Sequence, residues 1–141
     1  GNSHSQSYMD EVEAVPAEDP RILMTGFVAG RVLEELYSNA CFFVLPSDVE
    51  GMAVSLLEAM SYGNCCLVSD IKENTEVVAE HAVSFRKSDT QDLQEKMEYL
   101  LEHPEVRAAY QEKAADYICG KYNWDDVAEQ TLRLYEDGVT K

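Results

Sequence analysis

The chain has 141 residues, of which 45% are hydrophobic, and a formal net charge of −16 from 11 basic and 27 acidic side chains. This length suffices for one domain with a hydrophobic core, and the negative charge argues against nucleic acid or an anionic membrane surface as partners. With no signal peptide in the polar N-terminus and no apolar run near the roughly 20 residues of a membrane span, a cytoplasmic protein is expected.

Helical and strand-like patterns alternate along the first part of the chain. A weak helical patch at Tyr8–Val15 is expected to end at Pro16. The later elements, in chain order, are predicted as a strand at Ile22–Thr25, a helix at Val32–Ser38, a strand at Cys41–Leu45, a helix at Leu56–Tyr62, a strand at Cys65–Ser69, a short helix at Thr75–Ala79 and a strand at Ala82–Phe85. The continuous apolar run at Cys41–Leu45 is typical of a strand covered on both faces.

The remainder of the chain is predicted to be helical. Its boundaries are marked by a capping-box signature at Ser88 and Gln91, a helix start at Pro104, a helix end at Gly120 and a cap at Asn123. On the last helix, Trp124 and Tyr135 recur at helical spacing, which favours packing in the core over a sugar-binding platform. The fold class is therefore α/β, a Rossmann-like parallel sheet flanked by helices with a helical C-terminus.

The cysteines do not form a metal-binding pattern. None of the four, at Cys41, Cys65, Cys66 and Cys119, shows zinc-ligand spacing, and the three histidines are scattered. Buried free thiols are the expectation.

Two glutamates, Glu50 and Glu58, stand eight positions apart in the most informative segment of the chain. Glu50 follows the predicted strand Cys41–Leu45, and Glu58 lies about two turns further on, near the start of a helix. The carboxyl ends of parallel strands and the N-termini of the following helices are where α/β folds hold phosphorylated ligands. The simpler alternatives are a charge that complements the helix dipole for Glu50 and a solvated surface carboxylate for Glu58.

This segment resembles the retaining, nucleotide-sugar-dependent glycosyltransferases of the group 1 family, which have the two-domain GT-B fold. The family pattern E-G-F-G-L-P-L-L-E-A-M-A-x-G-x-P-V-V stands here as E-G-M-A-V-S-L-L-E-A-M-S-Y-G-N-C-C-L at residues 50–67. The Thr25-Gly26-Phe27 turn, Pro46-Ser47 and Tyr122-Asn123-Trp124 are also similar to the family, so the resemblance extends from Arg21 to Tyr135.

The resemblance implies roles for individual residues. Glu50 would contact the donor sugar and the reacting centre as the catalytic candidate, and Glu58 would bind the nucleotide ribose, since a carboxylate can accept two hydrogen bonds from a diol. The other candidate substrate-binding residues are the backbone of the motif and the turn that borders the base, namely Gly51, Met52, Ala53, Val54, Phe27 and Val28. Ala53 replaces the family's second glycine, which predicts against a positive φ there.

The resemblance also implies a domain assignment. Residues 1–141 would form a single partial domain, the C-terminal nucleotide-sugar-binding domain of a two-domain enzyme. The family's first strand, glycine-rich turn and diphosphate-gripping arginine and lysine have no counterpart, and Gly1–Ser5 is similar to the loop after the second strand. The chain is therefore expected to be N-terminally truncated, inactive alone and prone to self-association.

The parent enzyme would transfer a hexose from a nucleoside diphosphate sugar, with no cofactor beyond that donor, to a carbohydrate or lipid-linked acceptor held by the missing domain. That domain would also allow peripheral membrane association. No metal is expected, because Asp48-Val49-Glu50 is the nearest approach to an Asp-x-Asp motif. The alternatives are a non-catalytic regulatory or interaction module of the same fold and a nucleotide-sugar epimerase.

Overall fold

The structure of the chain is a computed structural model that describes residues 6–139, so the loop predicted at Gly1–Ser5 lies outside the described residues. The chain divides into two compact units, Gly1–Glu34 and Glu35–Lys141. Its helices and strands, in chain order, are α1 (Gln6–Glu18), α2 (Arg31–Asn39), β1 (Phe43–Leu45), α3 (Val54–Ser61), β2 (Cys66–Ser69), α4 (Lys72–Val78), β3 (Val83–Phe85), α5 (Thr90–Glu102), α6 (Pro104–Lys121) and α7 (Trp124–Val139).

The first unit contains α1 and an irregular segment. The prediction that Pro16 ends the first helix is wrong, because α1 continues to Glu18. Proline removes one backbone donor, yet the amide of Asp19 bonds to the carbonyl of Val15 at 3.2 Å and closes the last turn. The strand predicted at Ile22–Thr25 is also not formed within the described residues. An apolar run becomes a strand only where a neighbouring strand bonds its backbone, and composition does not reveal that neighbour.

The second unit is built on a parallel sheet with the strand order β1-β2-β3. Central β2, predicted only as a strand at Cys65–Ser69, has four buried residues. Its Leu67 lies opposite Val44 of β1 and Val83 of β3. β1 is shorter than the predicted strand Cys41–Leu45. The expectation that this strand is covered on both faces is wrong, because β1 lies at the edge of this sheet and its residues are only half-buried. The parallel sheet flanked by helices confirms the predicted α/β class.

The hydrophobic core lies around β2. One cluster contains Cys65, Leu67, Phe85 and Leu100, against which side chains from β1, α5 and α6 pack. α3 packs against β2 and α6, and its Leu56, Ala59 and Met60 are fully buried. This burial fixes the helix that carries Glu58.

The helices α2, α3 and α4 begin one to three residues before their predicted starts, and two boundary residues predicted for α5 and α6 also differ. Asp89, and not Ser88, caps α5, because its side chain accepts a hydrogen bond from the amide of Asp92 at 2.9 Å. Ser88 instead adopts a positive φ of 57°. α6 passes the predicted end at Gly120 by one residue and ends at Lys121.

Two further boundaries are confirmed. α6 begins at Pro104, whose missing amide costs nothing in the first turn of a helix. Asn123 precedes α7 and its Oδ1 accepts a hydrogen bond from the amide of Asp125 at 2.9 Å.

The prediction that Trp124 and Tyr135 pack in the core is wrong. Trp124 is 84% exposed and Tyr135 is 70% exposed, and every other side chain described along α7 is exposed as well. Helical spacing shows that an apolar face exists, but it does not show what covers that face.

All four cysteines are free. Cys65 and Cys66 are buried, as predicted, because they enter the central strand. The expected burial is wrong for Cys41 and Cys119, which are exposed.

Candidate functional site

Glu50 lies in the loop that follows β1 and is held there by a neighbouring hydroxyl. Ser47 Oγ donates a hydrogen bond to Glu50 Oε1 at 2.6 Å. Glu50 itself is half-buried. A short hydrogen bond to a carboxylate is among the stronger polar contacts in proteins and restricts the rotamers of the glutamate.

The start of α3 has backbone amides that no capping side chain occupies. Ala53 stands at the N-cap with φ −77° and provides no side-chain hydrogen bond. The negative φ confirms the expectation drawn from the replacement of glycine by alanine. Ala53 is buried, whereas Gly51, Met52 and Val54 are exposed around it. The first amides of a helix have no intrahelical partner, so this end of α3 offers donors to an anionic ligand.

Glu58 lies in the middle of α3, exposed, with a partner from another helix. The phenolic hydroxyl of Tyr37 in α2 donates to Glu58 Oε2 at 3.3 Å. The ring of Tyr37 also stacks on Tyr62, with 5.5 Å between centroids. From the sequence, Tyr37 was predicted only as part of the helix Val32–Ser38. Its hydroxyl contact depends on tertiary packing and leaves no signal in local sequence.

The ends of α2 and α3 are tied together by a buried amide. Asn64, which is 2% exposed, donates through Nδ2 to the carbonyls of Tyr37 at 2.9 Å and Ala59 at 3.0 Å. The backbone of Tyr37 is thereby fixed to the helix whose Glu58 its side chain contacts. Asn64 was not predicted as a functional residue. Its side chain holds the backbone of Tyr37 in place.

Two aspartates at the same edge of the sheet have structural partners. Asp48 Oδ1 accepts a hydrogen bond from Ser88 Oγ at 2.8 Å. Asp70 Oδ1, after β2, accepts one from the amide of Lys87 at 2.8 Å. These contacts fasten the loop after β3 to the loops after β1 and β2.

The remaining candidates, Phe27 and Val28, belong to the first unit. Phe27 is 95% exposed, while Val28 is partly buried. Within the second unit, Glu50 and residues 51–54 lie at the start of α3, and Glu58 lies in the middle of that helix.

Two further observations concern metal binding and membrane insertion of the residues that the structure describes. Among them, no group of three or more His, Cys, Asp or Glu side chains converges in a way that could hold a metal ion. None of their helices has the length and apolar content required to cross a membrane.

In open α/β sheets, ligands bind in the crevice outside the carboxyl ends of the strands, which is where the Glu50 loop and the start of α3 lie. The profile of the family described as glycosyl transferases group 1 matches residues 10–117. The chain belongs to the group 1 glycosyltransferases.

Individual relatives agree with this assignment. The chain is 35% identical over 104 residues to the N,N'-diacetylbacillosaminyl-diphospho-undecaprenol alpha-1,3-N-acetylgalactosaminyltransferase of Campylobacter jejuni, which covers 72% of this chain and 27% of that enzyme. It is 32% identical over 123 residues to the serotype-specific mannosyltransferase WbdA of Escherichia coli, covering 86% of this chain and 14% of the relative. The chain therefore spans about a quarter or less of these relatives.

Solved structures show the same fold. Sucrose-phosphate synthase from Thermosynechococcus elongatus superimposes with a TM-score of 0.85 at 21% identity, over 99% of this chain and 37% of that one. TarM superimposes with a TM-score of 0.77 at 20% identity, over 89% of this chain and 26% of that one. The fold is that of a GT-B glycosyltransferase domain.

Proposed function

We propose that this chain binds the nucleotide-sugar donor of a retaining glycosyltransferase, with Glu50 and Glu58 as the residues that contact the donor. The observation that carries the proposal concerns Glu50, which precedes the uncapped start of α3, and Glu58, in the middle of that helix. Each carboxylate accepts a hydrogen bond from a hydroxyl outside the 50–58 segment. Ser47 holds Glu50 at 2.6 Å and Tyr37 holds Glu58 at 3.3 Å. Groups fixed before binding lose little conformational entropy when the ligand arrives.

Each part of the site suits one part of a nucleoside diphosphate sugar. Glu58 accepts hydrogen bonds from the ribose diol, and Glu50 contacts the sugar hydroxyls beside the reacting carbon. The amides of residues 52–54 donate to the diphosphate, where they add no side-chain charge. The two carboxylates thus bind hydroxyl groups, while the negative charge of the donor lies at backbone donors.

The domain assignment is part of the proposal. Residues 1–141 form the C-terminal donor domain of a longer two-domain enzyme, in the cytoplasm or at the membrane periphery. The acceptor is a carbohydrate or a lipid-linked sugar, and the Campylobacter jejuni relative, named for a diphospho-undecaprenol-linked sugar, supports the second kind. The donor is the only small molecule required. The chain alone transfers no sugar, because a donor domain lacks an acceptor site, and it self-associates.

Donor binding by the full-length protein tests the proposal. Thermal shift and calorimetry are run with UDP-glucose, UDP-N-acetylgalactosamine, GDP-mannose and ADP-glucose. One of them should stabilise the protein by about 2.7 kcal/mol at 100 times its dissociation constant. In that protein, Glu58→Ala should weaken donor binding by roughly 1.5–3 kcal/mol, or about ten- to hundredfold in Kd. Glu50→Ala should act mainly on kcat, because its partner lies at the reacting sugar.

A matched control is Glu112→Ala, which removes an exposed carboxylate of α6, outside the 50–58 segment. It should change neither Kd nor kcat. Failure of every donor to bind, or equal small effects of all three variants, would refute the proposal and favour a non-catalytic module. Sugar transfer by the 141-residue chain alone would refute the domain assignment. Retention is tested by NMR of the anomeric proton in the first transferred product.

A further inference from the structure

Two polar side chains are fully buried behind the loop that carries Glu50. Ser69, at the end of β2, and Asn74, in α4, are both 0% exposed. Asn74 Nδ2 lies 3.0 Å from Ser69 Oγ and 3.3 Å from the Ser69 carbonyl, and donates to both. Burying polar groups in an apolar interior is costly unless they are paired, so a pair kept at this place requires a reason.

The pair extends to Glu50 through Ser47. The hydroxyl of Ser69 donates to the carbonyl of Ser47, and the hydroxyl of Ser47 donates to Glu50 Oε1 at 2.6 Å. Ser47 is therefore bonded on both sides, with its carbonyl held from the buried interior and its hydroxyl holding the carboxylate. Within the described residues, Glu50 Oε2 has no hydrogen-bond partner. One carboxylate oxygen is anchored, and the other is left for a ligand.

The amide of Asn74 is satisfied on one side only. Its Oδ1 is buried without any hydrogen-bond partner among the described residues. A buried acceptor without a partner destabilises a fold, and most buried side-chain polar atoms have a partner. An asparagine serving stability alone would be better replaced by an apolar side chain of the same branching. The Nδ2 donor of Asn74 is therefore the group that matters, because its hydrogen bond orients the Ser69 hydroxyl toward Ser47.

We infer that Asn74, Ser69 and Ser47 form a buried support that positions the Glu50 carboxylate toward the donor sugar. The role of Glu50 in this inference rests on the proposed function, whereas the mechanical support of its loop does not. The three supporting residues are positioning residues, because they act through Glu50 and not on the substrate. Loss of the support should misplace the carboxylate while nucleotide binding, which uses Glu58, is retained.

The test compares Asn74→Leu, Ser47→Ala and Ser47→Thr in the full-length protein, with Ser84→Ala as the control. Ser84 is an exposed serine on β3, in the same sheet. Leucine keeps the branching of asparagine and removes the unpaired acceptor, but it also leaves Ser69 without its donor. Because these two effects oppose each other, the melting temperature of Asn74→Leu should change little. Hydrogen exchange of the amides at 47–53 should nevertheless speed up about tenfold in Asn74→Leu and Ser47→Ala, as expected for loss of one local restraint.

Turnover provides the second measurement, with the donor that binds most tightly among UDP-glucose, UDP-N-acetylgalactosamine, GDP-mannose and ADP-glucose. The kcat for release of the nucleoside diphosphate should fall about tenfold in Asn74→Leu and Ser47→Ala. The donor KM of both variants should stay within about twofold of the wild-type value. Ser47→Thr, which keeps the hydroxyl, should restore kcat.

The outcomes separate the two proposals. If no donor binds, the proposed function fails, and loop exchange alone decides whether the support exists. Unchanged exchange and unchanged kcat in both Asn74→Leu and Ser47→Ala would overturn the inference. Equal losses in Ser47→Thr and Ser47→Ala would also overturn it, because the hydroxyl would then not be the positioning group. If Asn74→Leu does not fold, the comparison of Ser47→Ala with Ser47→Thr decides whether the support exists.

Discussion

Tyr37 and Glu58 are 21 residues apart in sequence, and the Tyr37 hydroxyl donates to Glu58 Oε2 at 3.3 Å. The same hydroxyl lies 3.3 Å from the carbonyl of Ser55, so it contacts both the first turn of α3 and its carboxylate. Burial, followed by the negative charge of Glu58, raises the pKa of Tyr37 to about 12. Tyr37 therefore remains protonated, and remains a donor to Glu58, at neutral pH.

Tyr37→Phe should weaken nucleotide binding while it leaves the fold intact. The variant keeps the buried ring and removes only the donor, so the free energy of unfolding should fall by about 1 kcal/mol. Glu58 becomes free to rotate, and Kd for the donor should rise by up to about tenfold in calorimetry. Tyr62→Phe is the control, because it keeps the stack at 5.5 Å and lies on α3's exposed end. Equal effects of the two substitutions on Kd would contradict a role for the Tyr37 hydroxyl.

Gly63→Ala should destabilise the chain by about 1–2 kcal/mol, because Gly63 adopts φ +75°. The amide of Gly63 bonds to the Met60 carbonyl at 2.9 Å and that of Asn64 to the Ala59 carbonyl at 3.1 Å, which closes α3 in a Schellman motif. An added Cβ would meet only the Gln111 carbonyl at 3.7 Å, an ordinary contact, so backbone strain and not collision is the cause.

Urea denaturation of wild type and Gly63→Ala at neutral pH measures this difference. Gly138→Ala, in the exposed α7, is the control. Alanine in a helix is favoured over glycine, so that control should be neutral or slightly stabilising. A neutral Gly63→Ala would contradict the strain argument.

Local chemistry made much of this fold predictable. The apolar run that became β2, the glycine that ends α3, the proline at the start of α6 and the asparagine before α7 each act within a few residues of themselves. Glu50 and Glu58 were proposed as site residues because their spacing and context lie in one continuous segment. Their functional roles remain predictions.

Other features depend on tertiary packing and leave no local signal. The partners of the two glutamates illustrate this: Ser47 lies three residues from Glu50, but the Ser69 and Asn74 side chains behind it come from other elements. The apolar spacing of α7 predicted burial of Trp124, which is 84% exposed. Periodicity locates a face of a helix, and only the remaining structure determines whether that face is covered.

Alkaline pH should destabilise the chain through its buried thiols. Burial raises the pKa of Cys65 from 9.0 to about 11 and that of Cys66 from 9.0 to about 12. Below pH 9 both folded and unfolded thiols hold their protons, so this contribution to stability is fully present. Above pH 9 the unfolded chain releases them first, and the free energy of unfolding should fall by up to about 1.4 kcal/mol per pH unit for each thiol.

Urea melts between about pH 7.5 and pH 10.5 measure that slope. Cys66→Ala should reduce this slope by the contribution of one thiol. Cys119→Ala, which removes an exposed thiol, is the control and should leave the slope unchanged. A free energy of unfolding that stays constant up to pH 10.5 would contradict the assigned burial of the two thiols.

Self-association of the 141-residue chain is expected from two surfaces that its second unit exposes. β1 and β3 each have one partner strand in the described sheet, and exposed strand edges recruit other chains. Along α7, Trp124 and Tyr135 are 84% and 70% exposed on one apolar stripe, and large exposed apolar patches favour association. The net charge of −16 opposes nonspecific aggregation, so a discrete dimer or small oligomer is expected rather than a precipitate.

Size exclusion with light scattering at tens of micromolar should show this species, and the double variant Trp124→Ser/Tyr135→Ser should shift the mass toward the monomer. Gln130→Ser, at an exposed polar position of the same helix, should leave the mass unchanged. A monomer with a sharp cooperative melt in the wild-type chain would show that neither surface drives association.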